Sequence, residues 1–260
     1  MADSAAPRAL LVVSHPRRTS LTARAAARAR ARLRRDGYEV DVLDLYAEGF
    51  DPRMPAEDEP DWNDPGKPYS ADAETHMRRV QAADVIVVVF PVWWFGLPAM
   101  LKGWIDRVWN HGFAYGTRPH RLTGKRMTWI GLAGYPEDHF TSAGWDKLLT
   151  QSLGQGISAF CGIPDATVHL IYDTIPSPAA DLPEADAMDA SDASDALDAL
   201  DAAVTGADFL DAGGADADGA DVGGADVYGF GVFVRRVLAE VDVALSTGNQ
   251  VAPLDGLLLK

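Results

Sequence analysis

The sequence predicts a doubly wound α/β protein, with a five-stranded parallel sheet in the strand order 2-1-3-4-5 and helices on both faces. Five short apolar segments alternate along the chain with segments of helical character, which is the pattern of βα units and a parallel sheet. The third apolar segment, residues 85–89, contains no polar residue, as expected of a strand that is buried on both faces. Segments of ligand-binding character follow the first and third strands, which flank the switch point of this strand order.

The first βα unit begins at an apolar run, residues 9–13, which is predicted as the first strand. Thr19 and Ser20 are good N-cap residues for a helix that runs to Arg35 through a segment rich in alanine, leucine and arginine. Gly37 is suited to end this helix in the left-handed conformation. We interpret the six arginines between residues 24 and 35 as a solvated helix face.

The second and third βα units follow directly. Residues 38–45 alternate partly between apolar and polar side chains and are predicted as the second strand. Residues 46–69 are rich in proline, aspartate and glycine, which predicts a long surface loop. A helix over residues 71–82 then leads into the third strand. After that strand, residues 99–109 place apolar side chains at helical spacing and are predicted as the third helix.

The remaining elements complete the alternation. They are a fourth strand over residues 127–133, a fourth helix over residues 143–160, a fifth strand over residues 167–172 and a final helix over residues 230–245. We therefore expect one folded domain that is built from residues 8–175 and 228–248.

An acidic segment, residues 177–226, separates the two parts of this domain. It holds thirteen Asp and one Glu without any Lys or Arg, and it accounts for −14 of the formal charge of −15. Its aspartates recur every third residue over residues 186–201, a spacing that forms no single helix face. We interpret the segment as a low-complexity, disordered insertion. The rest of the chain is nearly neutral, so its charge does not indicate a basic nucleic-acid-binding surface, and we expect no nucleic-acid partner.

Cysteine usage and the amino-terminal residues bear on the compartment. The single cysteine, Cys161, excludes an intrachain disulfide and favours a reducing compartment. Residues 1–8 lack a cationic flank followed by a long apolar core, and the apolar run at residues 9–13 is too short to span a membrane. The sequence therefore predicts a cytoplasmic protein with no direct membrane insertion.

The loop after the first strand has the character of an anion site. Backbone N–H groups at the start of a helix lack partners within the helix, and the positive end of the helix dipole favours a phosphate group there. Thr19, Ser20 and Thr22 add hydroxyl groups in this loop, while His15 and Arg18 add hydrogen-bond donors or positive charge. An ordinary helix-capping site is the alternative interpretation of the same residues.

The loop after the third strand is aromatic. It reads Phe-Pro-Val-Trp-Trp-Phe-Gly-Leu-Pro over residues 90–98, and such a stiff, flat-sided loop suits a planar ligand. Core packing is the alternative for Trp93, Trp94 and Phe95, but three consecutive side chains of a loop cannot all point inward. A phosphate site beside such a wall fits a flavin, whose N5 and carbonyl oxygens can accept hydrogen bonds from the loop's N–H groups.

Several motifs resemble a known family. Residues 90–104, followed by Gly-Phe-Ala-Tyr-Gly at residues 112–116, resemble the signature of the NAD(P)H:quinone oxidoreductases, the DT-diaphorase family. The loop at residues 14–21 and the Phe-Cys-Gly triplet at residues 160–162 are similar to the same family. The resemblance covers roughly residues 8–175 and the last helix.

This resemblance implies a flavodoxin-like fold, a homodimer with sites at the interface, and a bound flavin, which is FAD or alternatively FMN. It implies an NAD(P)H dehydrogenase (quinone) type of oxidoreductase. In that activity NAD(P)H reduces the flavin and leaves, and a quinone-like small molecule then takes two electrons in a ping-pong reaction.

The resemblance also implies the roles of individual residues. Residues of the first loop are implied to hold the flavin's phosphate and ribityl chain: His15, Thr19, Ser20, Leu21 and Thr22. Residues after the third strand are implied to flank its ring: Pro91, Val92, Trp93, Trp94 and Phe95. A third wall, acting through main-chain hydrogen bonds because it lacks the family's hydroxyl side chains, comprises Gly131, Leu132, Ala133 and Gly134. The acceptor pocket is implied to include Phe95 and Tyr115, and the candidate catalytic residues are Tyr135 and His139.

Two other functions stay open at this point. One is a flavin-binding regulatory subunit of a membrane potassium-efflux transporter, because relatives in this family include the ancillary oxidoreductases of such systems. The other is a one-electron carrier like flavodoxin, which the wide aromatic pocket at Phe95 and Tyr115 disfavours. The sequence leaves the acceptor and the choice between NADH and NADPH open.

Overall fold

A computed structural model describes residues 6–117, 119–175 and 236–246. Its strands are β1 (Arg8–Val13), β2 (Glu39–Asp44), β3 (Val85–Pro91), β4 (Arg126–Leu132) and β5 (Ala166–Ile171). They form one sheet in the order β2-β1-β3-β4-β5, and every neighbouring pair is parallel. The predicted sheet and its strand order are therefore confirmed.

Strand β3 lies at the centre of the sheet, and all seven of its residues are buried. Its side chains alternate between the two faces, so that the uninterrupted apolar run supplies both cores. It pairs with β1 in a register that joins Ala9 to Val85 and Val13 to Val89. Because the chain winds in opposite directions from these two strands, the switch point lies at their carboxyl ends.

Helices cover both faces of the sheet. One face carries α1 (Leu21–Arg35) and α6 (residues 236–246), whose apolar side chains pack in one core. The other face carries α2 (Ala71–Ala82), α3 (Ala99–Val108), α4 (Glu137–Ser142) and α5 (Trp145–Thr150), which form a second core. The doubly wound arrangement is therefore present on the described part of the chain.

Helices α1 and α6 are joined by polar contacts as well as by apolar packing. Arg28 of α1 forms an ion pair with Asp242 of α6, and Arg32 donates a hydrogen bond to the Ser246 hydroxyl at 3.3 Å. The interpretation of the α1 arginines as a solvated face is therefore wrong for Arg28 and Arg32. Both side chains reach a helix that lies more than two hundred residues later in the chain, which no local pattern could indicate.

The predicted fourth helix, residues 143–160, is present over residues 145–159, but its second part is π-helical and a short helix precedes it. The chain forms α4, breaks at Gly144 with a φ of +77°, resumes as α5 and continues as a π-helix over Gln151–Ala159. A left-handed φ interrupts an α-helix, and glycine adopts it more easily than any other residue. The Trp129 indole of β4 donates a hydrogen bond to the Ser158 hydroxyl at 3.0 Å and fixes the π-helical part on the sheet.

The long loop between β2 and α2 has a buried anchor. Asp58 of this loop and Arg107 of α3 are both buried, with Arg107 Nε 2.9 Å from Asp58 Oδ2. Ser70, the N-cap of α2, donates its hydroxyl to Asp58 at 2.9 Å. A second carboxylate, Asp72, lies 3.2 Å from Arg107. The predicted surface loop is therefore tied to α2 and α3, with Asp58 as its buried contact.

Other boundaries shift by a few residues. Strand β3 extends through Phe90 and Pro91, which therefore belong to the strand rather than to the loop after it. The acidic segment, residues 177–226, lies outside the described residues, as do residues 230–235 of the predicted final helix. Among the helices that are described, none has the length and apolar character needed to cross a membrane.

Candidate functional site

The loops after β1 and β3 adjoin at the carboxyl edge of the sheet. The Ser14 N–H donates to the Val89 carbonyl at 3.2 Å, so the first loop begins beside the end of β3. One residue later, the His15 imidazole lies edge to face against the Trp93 indole, with ring centroids 6.0 Å apart. The two loops with predicted ligand-binding character therefore contact each other.

The first loop ends in an unsatisfied helix N-terminus. Helix α1 is capped by Ser20, whose Oγ accepts a hydrogen bond from the Ala23 N–H at 3.1 Å. Within the described chain, the N–H groups of Thr19, Leu21 and Thr22 donate no hydrogen bond. Because these groups lie at the positive end of the α1 dipole, they form a site that suits an anion such as phosphate.

Two side chains at the start of this loop, Ser14 and His15, are polar groups whose surroundings are unusual: one lacks a hydrogen-bond partner and the other has a lowered pKa. Ser14 is fully buried, and its Oγ has no hydrogen-bond partner among the described residues. Leaving a buried hydroxyl unpaired costs about 1–3 kcal/mol, so its place at the site favours a ligand that pairs with it. Burial lowers the pKa of His15, whose Nδ1 accepts a hydrogen bond from the Arg17 N–H at 3.0 Å.

The aromatic loop is a tight two-residue hairpin. The Trp93 N–H donates to the Gly96 carbonyl at 3.2 Å, and the Gly96 N–H donates to the Trp93 carbonyl at 3.0 Å. The central residues, Trp94 and Phe95, have φ angles of +51° and +56°. Turns of this shape are usually made by Asn or Gly, and each left-handed residue of another type costs on the order of 1 kcal/mol or more. The hairpin is therefore strained at two residues that were assigned to the ring wall.

The hairpin presents rings and N–H groups outward. Trp94 is 96% exposed and Trp93 is 41% exposed, so these two side chains are not part of the core. Within the described chain, the N–H groups of Trp94 and Phe95 donate no hydrogen bond, which leaves both available to acceptor atoms of a ligand. The preceding Val92 N–H donates to the Leu132 carbonyl at 2.8 Å and so ties this loop to the end of β4.

The end of β4 and the loop after it are closely packed at two glycines, and Gly131 and Leu132, which were predicted as part of this loop, belong to the strand. A Cβ on Gly134 would lie 2.5 Å from Cδ1 of Ile175, and a Cβ on Gly131 would lie 3.0 Å from side chains of the neighbouring segments. The Thr174 N–H donates to the Ala133 carbonyl at 3.1 Å. The third wall is therefore covered on one side by the residues that follow β5.

A column of aromatic rings extends from the hairpin across α4 and α5. The Phe95 ring is nearly parallel to that of Trp145, with centroids 4.3 Å apart, and to that of Tyr135, at 6.3 Å. His139 stacks on Tyr135 at 4.7 Å, and Phe140 lies 5.7 Å from Phe95. The structure therefore places both catalytic candidates, Tyr135 and His139, in one cluster with the ring wall.

Tyr115 lies in a different aromatic cluster. Its ring is 5.4 Å from Phe160, 5.7 Å from His111 and 6.0 Å from Trp62. No ring contact among the described residues joins this cluster to Phe95. The two residues expected to line one acceptor pocket are therefore apart within a single chain.

Sequence reasoning missed three residues of this region. Ser14 follows an apolar strand directly, and a polar residue at that point could have indicated a ligand contact. Trp145 was placed inside a continuous helix, where its contact with Phe95 could not be seen. Ile175 covers Gly134 through the packing of two distant segments, for which the sequence offers no local indication.

The arrangement can bind a ligand with an anionic end and a flat ring. The N-terminus of α1 supplies N–H donors and hydroxyl groups for a phosphate, and the hairpin supplies two further N–H donors beside aromatic side chains. No group of three or more metal-ligating side chains occurs within residues 6–117, 119–175 and 236–246.

Comparisons with known proteins identify the family to which the chain belongs. The family model of the flavodoxin-like fold matches residues 7–193. The chain is 41% identical over 168 residues to the uncharacterized NAD(P)H oxidoreductase YcaK of Escherichia coli, covering 65% of this chain and 85% of that protein. It is 37% identical over 189 residues to NAD(P)H dehydrogenase [quinone] 1 of Rattus norvegicus, covering 64% of this chain and 68% of that protein.

A third relative bears on the regulatory alternative. The chain is 36% identical over 109 residues to the ancillary protein KefF of a glutathione-regulated potassium-efflux system in an Enterobacter species. This match covers 40% of the chain and 61% of that protein. The family match and the two longer alignments show that the chain belongs to the flavodoxin-like family, as a relative of the NAD(P)H:quinone oxidoreductases, and they confirm the resemblance seen in its motifs.

Proposed function

We propose that the protein is a flavin-dependent NAD(P)H oxidoreductase that transfers two electrons to a quinone-like organic acceptor. The main support for this proposal is that two sets of backbone N–H groups without hydrogen-bond partners in the described chain lie on adjoining loops. One set lies at the N-terminus of α1, and the other lies on the strained hairpin at Trp94 and Phe95. His15 and Trp93, which contact each other, join the two sets.

The residues present fit a flavin. Its phosphate could accept hydrogen bonds from the N–H groups of Thr19, Leu21 and Thr22. The Ser14 hydroxyl is buried without a hydrogen-bond partner among the described residues and could bond to the same ligand. Acceptor atoms along its ring match the N–H groups of Trp94 and Phe95. FAD is the cofactor in this proposal, with FMN as the alternative, and the mass of the released flavin distinguishes them.

A bound flavin supplies two-electron chemistry, which allows NAD(P)H and the acceptor to use one site in turn. The chain's own part is binding, orientation and electrostatics. Phe95 belongs to the hairpin beside the expected ring, and its contact with Trp145 fixes the orientation of its own ring. Tyr135 and His139 stack on each other beside it, where they can donate hydrogen bonds to an oxygen on which negative charge develops.

A homodimer is part of this proposal. Tyr115 does not contact Phe95 within one chain, but a second copy could present its Tyr115 cluster to the Phe95 side of the first. The same cluster carries large exposed rings, since Trp62 is 67% and Phe160 is 60% exposed. Exposed aromatic groups of this kind often mark an interface. Sedimentation of the full chain, with Phe160→Asp as the variant expected to dissociate, tests this point.

Steady-state kinetics test the catalytic proposal. With NADPH or NADH and a soluble naphthoquinone, we expect parallel lines in double-reciprocal plots, as a ping-pong reaction requires. Tyr135→Phe and His139→Gln are each expected to lower kcat/KM about a hundredfold, which is the lower end of the range for the loss of one group that stabilises charge in a transition state.

Tyr38→Phe is the matched control for Tyr135→Phe, because Tyr38 lies at the other edge of the sheet and its hydroxyl bonds to Arg126. This variant is expected to keep the activity of the parent protein. Absence of quinone reduction by a protein that holds reducible flavin would overturn the catalytic proposal.

The regulatory subunit of a potassium-efflux transporter is the second candidate, and the alignment with KefF favours it. In this second function the flavin would act as a redox sensor for the transporter, whereas in the first function it passes electrons to an organic acceptor. Co-purification with a candidate transporter, with and without residues 177–226, distinguishes the two functions. A cytoplasmic location is common to both proposals, and cell fractionation tests it.

A further inference from the structure

Phe95 of the hairpin is held by a residue outside the loop. The Trp145 indole stacks on its ring with centroids 4.3 Å apart and an angle of 16° between the planes. Of the three rings that contact Phe95 across the column, Trp145 is the nearest, since Phe140 and Tyr135 lie at 5.7 Å and 6.3 Å. The orientation of the Phe95 ring is therefore set chiefly by Trp145.

The chain is shaped to bring Trp145 to this position. Helix α4 ends at Ser142, and Gly144 turns the chain with a φ of +77° before α5 begins at Trp145. A Cβ built on Gly144 meets no atom within 4 Å, so a larger residue would not clash here. Glycine is favoured at this position because of the left-handed backbone conformation. Because of this break, Phe140 of α4 and Trp145 of α5 both reach Phe95.

The contact acts on the most strained backbone of the site. Trp94 and Phe95 occupy left-handed conformations that aromatic residues rarely adopt. Strained conformations persist only where the surrounding structure imposes them. Two backbone hydrogen bonds between Trp93 and Gly96 close the turn, but Trp94 is 96% exposed, so side-chain packing can restrain the two central residues only through Phe95.

We propose that Trp145 is a positioning residue for the flavin ring. By stacking on Phe95 it keeps the Trp93–Gly96 hairpin in its left-handed form, and so keeps the N–H groups of Trp94 and Phe95 aligned for the ring edge. This inference rests on the proposed flavin function. It assigns the break between α4 and α5 a role in the site rather than in the core alone.

Substitutions at residue 145 separate positioning from simple packing. Trp145→Leu keeps an apolar side chain but removes the flat ring, whereas Trp145→Phe keeps a ring that can stack on Phe95. We expect Trp145→Leu to raise the flavin Kd about tenfold and Trp145→Phe to raise it by less than about threefold. With flavin at saturation, Trp145→Leu is also expected to shift the flavin's midpoint potential and visible spectrum, because its ring-edge hydrogen bonds change. Leu148→Ala, on an exposed position of α5, is the control and is expected to change none of these values.

Gly144 provides a second test that keeps Trp145 intact. Alanine is strained at a φ of +77°, whereas asparagine tolerates the left-handed region. Gly144→Ala is expected to reproduce the effects of Trp145→Leu on the flavin Kd and spectrum, and Gly144→Asn is expected to leave them near those of the parent. This comparison tests the positioning role even if Trp145→Leu fails to fold.

Relieving the strain at Trp94 should reduce the dependence of the hairpin on Trp145. Asparagine at position 94 suits the first central residue of this turn type. In the Trp94→Asn background, Trp145→Leu is expected to raise the flavin Kd by a smaller factor than in the parent. An unchanged factor would mean that Trp145 acts elsewhere.

The conformation of the hairpin can also be measured by NMR in the protein without flavin. In protein labelled with ¹⁵N at tryptophan and phenylalanine, Trp145→Leu is expected to move the amide signals of Trp94 and Phe95, while Leu148→Ala leaves them in place. A parent protein that binds no flavin overturns the proposed function, yet the amide signals still report on the hairpin. If those signals stay fixed in Trp145→Leu, or if the flavin Kd and spectrum are equal in Trp145→Leu and the parent, the positioning role is overturned.

Discussion

The His15 imidazole meets the Trp93 indole edge to face, with ring centroids 6.0 Å apart and an angle of 62° between the planes. These residues belong to loops that follow different strands, and their contact joins the anion site of α1 to the aromatic hairpin. A ligand that uses both loops must carry a phosphate at one end and a flat ring near the other. The flavin proposal depends on this junction more than on any single residue.

Ser14 and Ser20 are expected to respond in opposite ways to alanine substitution. The Ser14 hydroxyl is buried without a partner, so Ser14→Ala should leave the free energy of unfolding of the flavin-free protein unchanged or raise it by up to about 1 kcal/mol. It should nevertheless weaken flavin binding. Ser20 caps α1, so Ser20→Ala should lower the free energy of unfolding by about 1 kcal/mol. Urea denaturation and flavin titration measure both effects, and a loss of stability in Ser14→Ala without a loss of affinity would contradict this account.

The buried pair of Asp58 and Arg107 is expected to matter greatly for stability. Asp72 would still pair with Arg107 if Asp58 were replaced, whereas the loss of Arg107 leaves the buried Asp58 carboxylate without a counter-charge, so Arg107→Met should lower the free energy of unfolding by about 3–5 kcal/mol. Asp106→Asn, which breaks the exposed pair with Lys102, is the control and should cost less than about 1 kcal/mol. Similar losses in the two variants, measured by urea denaturation, would show that the buried pair does not anchor the long loop.

His76 is expected to make the fold sensitive to mild acid. Burial lowers its pKa from the ordinary value of 6.5, and its Nδ1 accepts a hydrogen bond from the Trp104 indole at 3.3 Å. The unfolded chain therefore binds a proton at a higher pH than the folded chain does. Its contribution to stability is complete above 6.5 and is lost as the pH falls below that value toward the lowered pKa.

A variant at this position provides the measurement. His76→Gln retains a hydrogen-bond acceptor for Trp104 but has no titration, so its free energy of unfolding should fall less steeply with decreasing pH than that of the parent. Thermal or urea denaturation across the mildly acidic range measures the slope. His139→Gln, at an exposed position, is the comparison, and equal slopes for His76→Gln and the parent would remove His76 from the explanation.

Cys161 is expected to be chemically inert in the folded protein. It is buried, and burial raises the pKa of its thiol to about 12, so the reactive thiolate is scarce at neutral pH. A disulfide reagent such as DTNB should label the native protein far more slowly than the protein unfolded in guanidinium. Rapid labelling of the native chain would show that the Cys161 region opens readily, against the packing described.

The parts of the fold that depend on local pattern could be predicted from the sequence. Five apolar runs and the polar or aromatic segments after them fixed the strand count, and topology alone brought the first and third loops together. The Ser20 cap also follows from a short-range rule, because its partner lies only three residues away.

The parts of the fold and site that depend on contacts between distant residues could not be predicted from the sequence. Asp58 and Arg107 are separated by 49 residues, and nothing in either neighbourhood indicates the other. The contact between Trp145 and Phe95 depends on a left-handed Gly144, which the helix-forming residues around it conceal. The separation of Phe95 from Tyr115 follows from the course of α3 and the loop after it, which sequence periodicity does not define.

The central claim is that one chain binds one flavin at the junction of the two loops and reduces it with NAD(P)H. Anaerobic titration of the purified protein, after the bound flavin has been identified by mass, tests this claim most directly. The account predicts a yellow protein with one flavin per chain, whose visible absorbance is lost on addition of one equivalent of NADPH or NADH. A colourless protein that binds neither added FAD nor added FMN would contradict it.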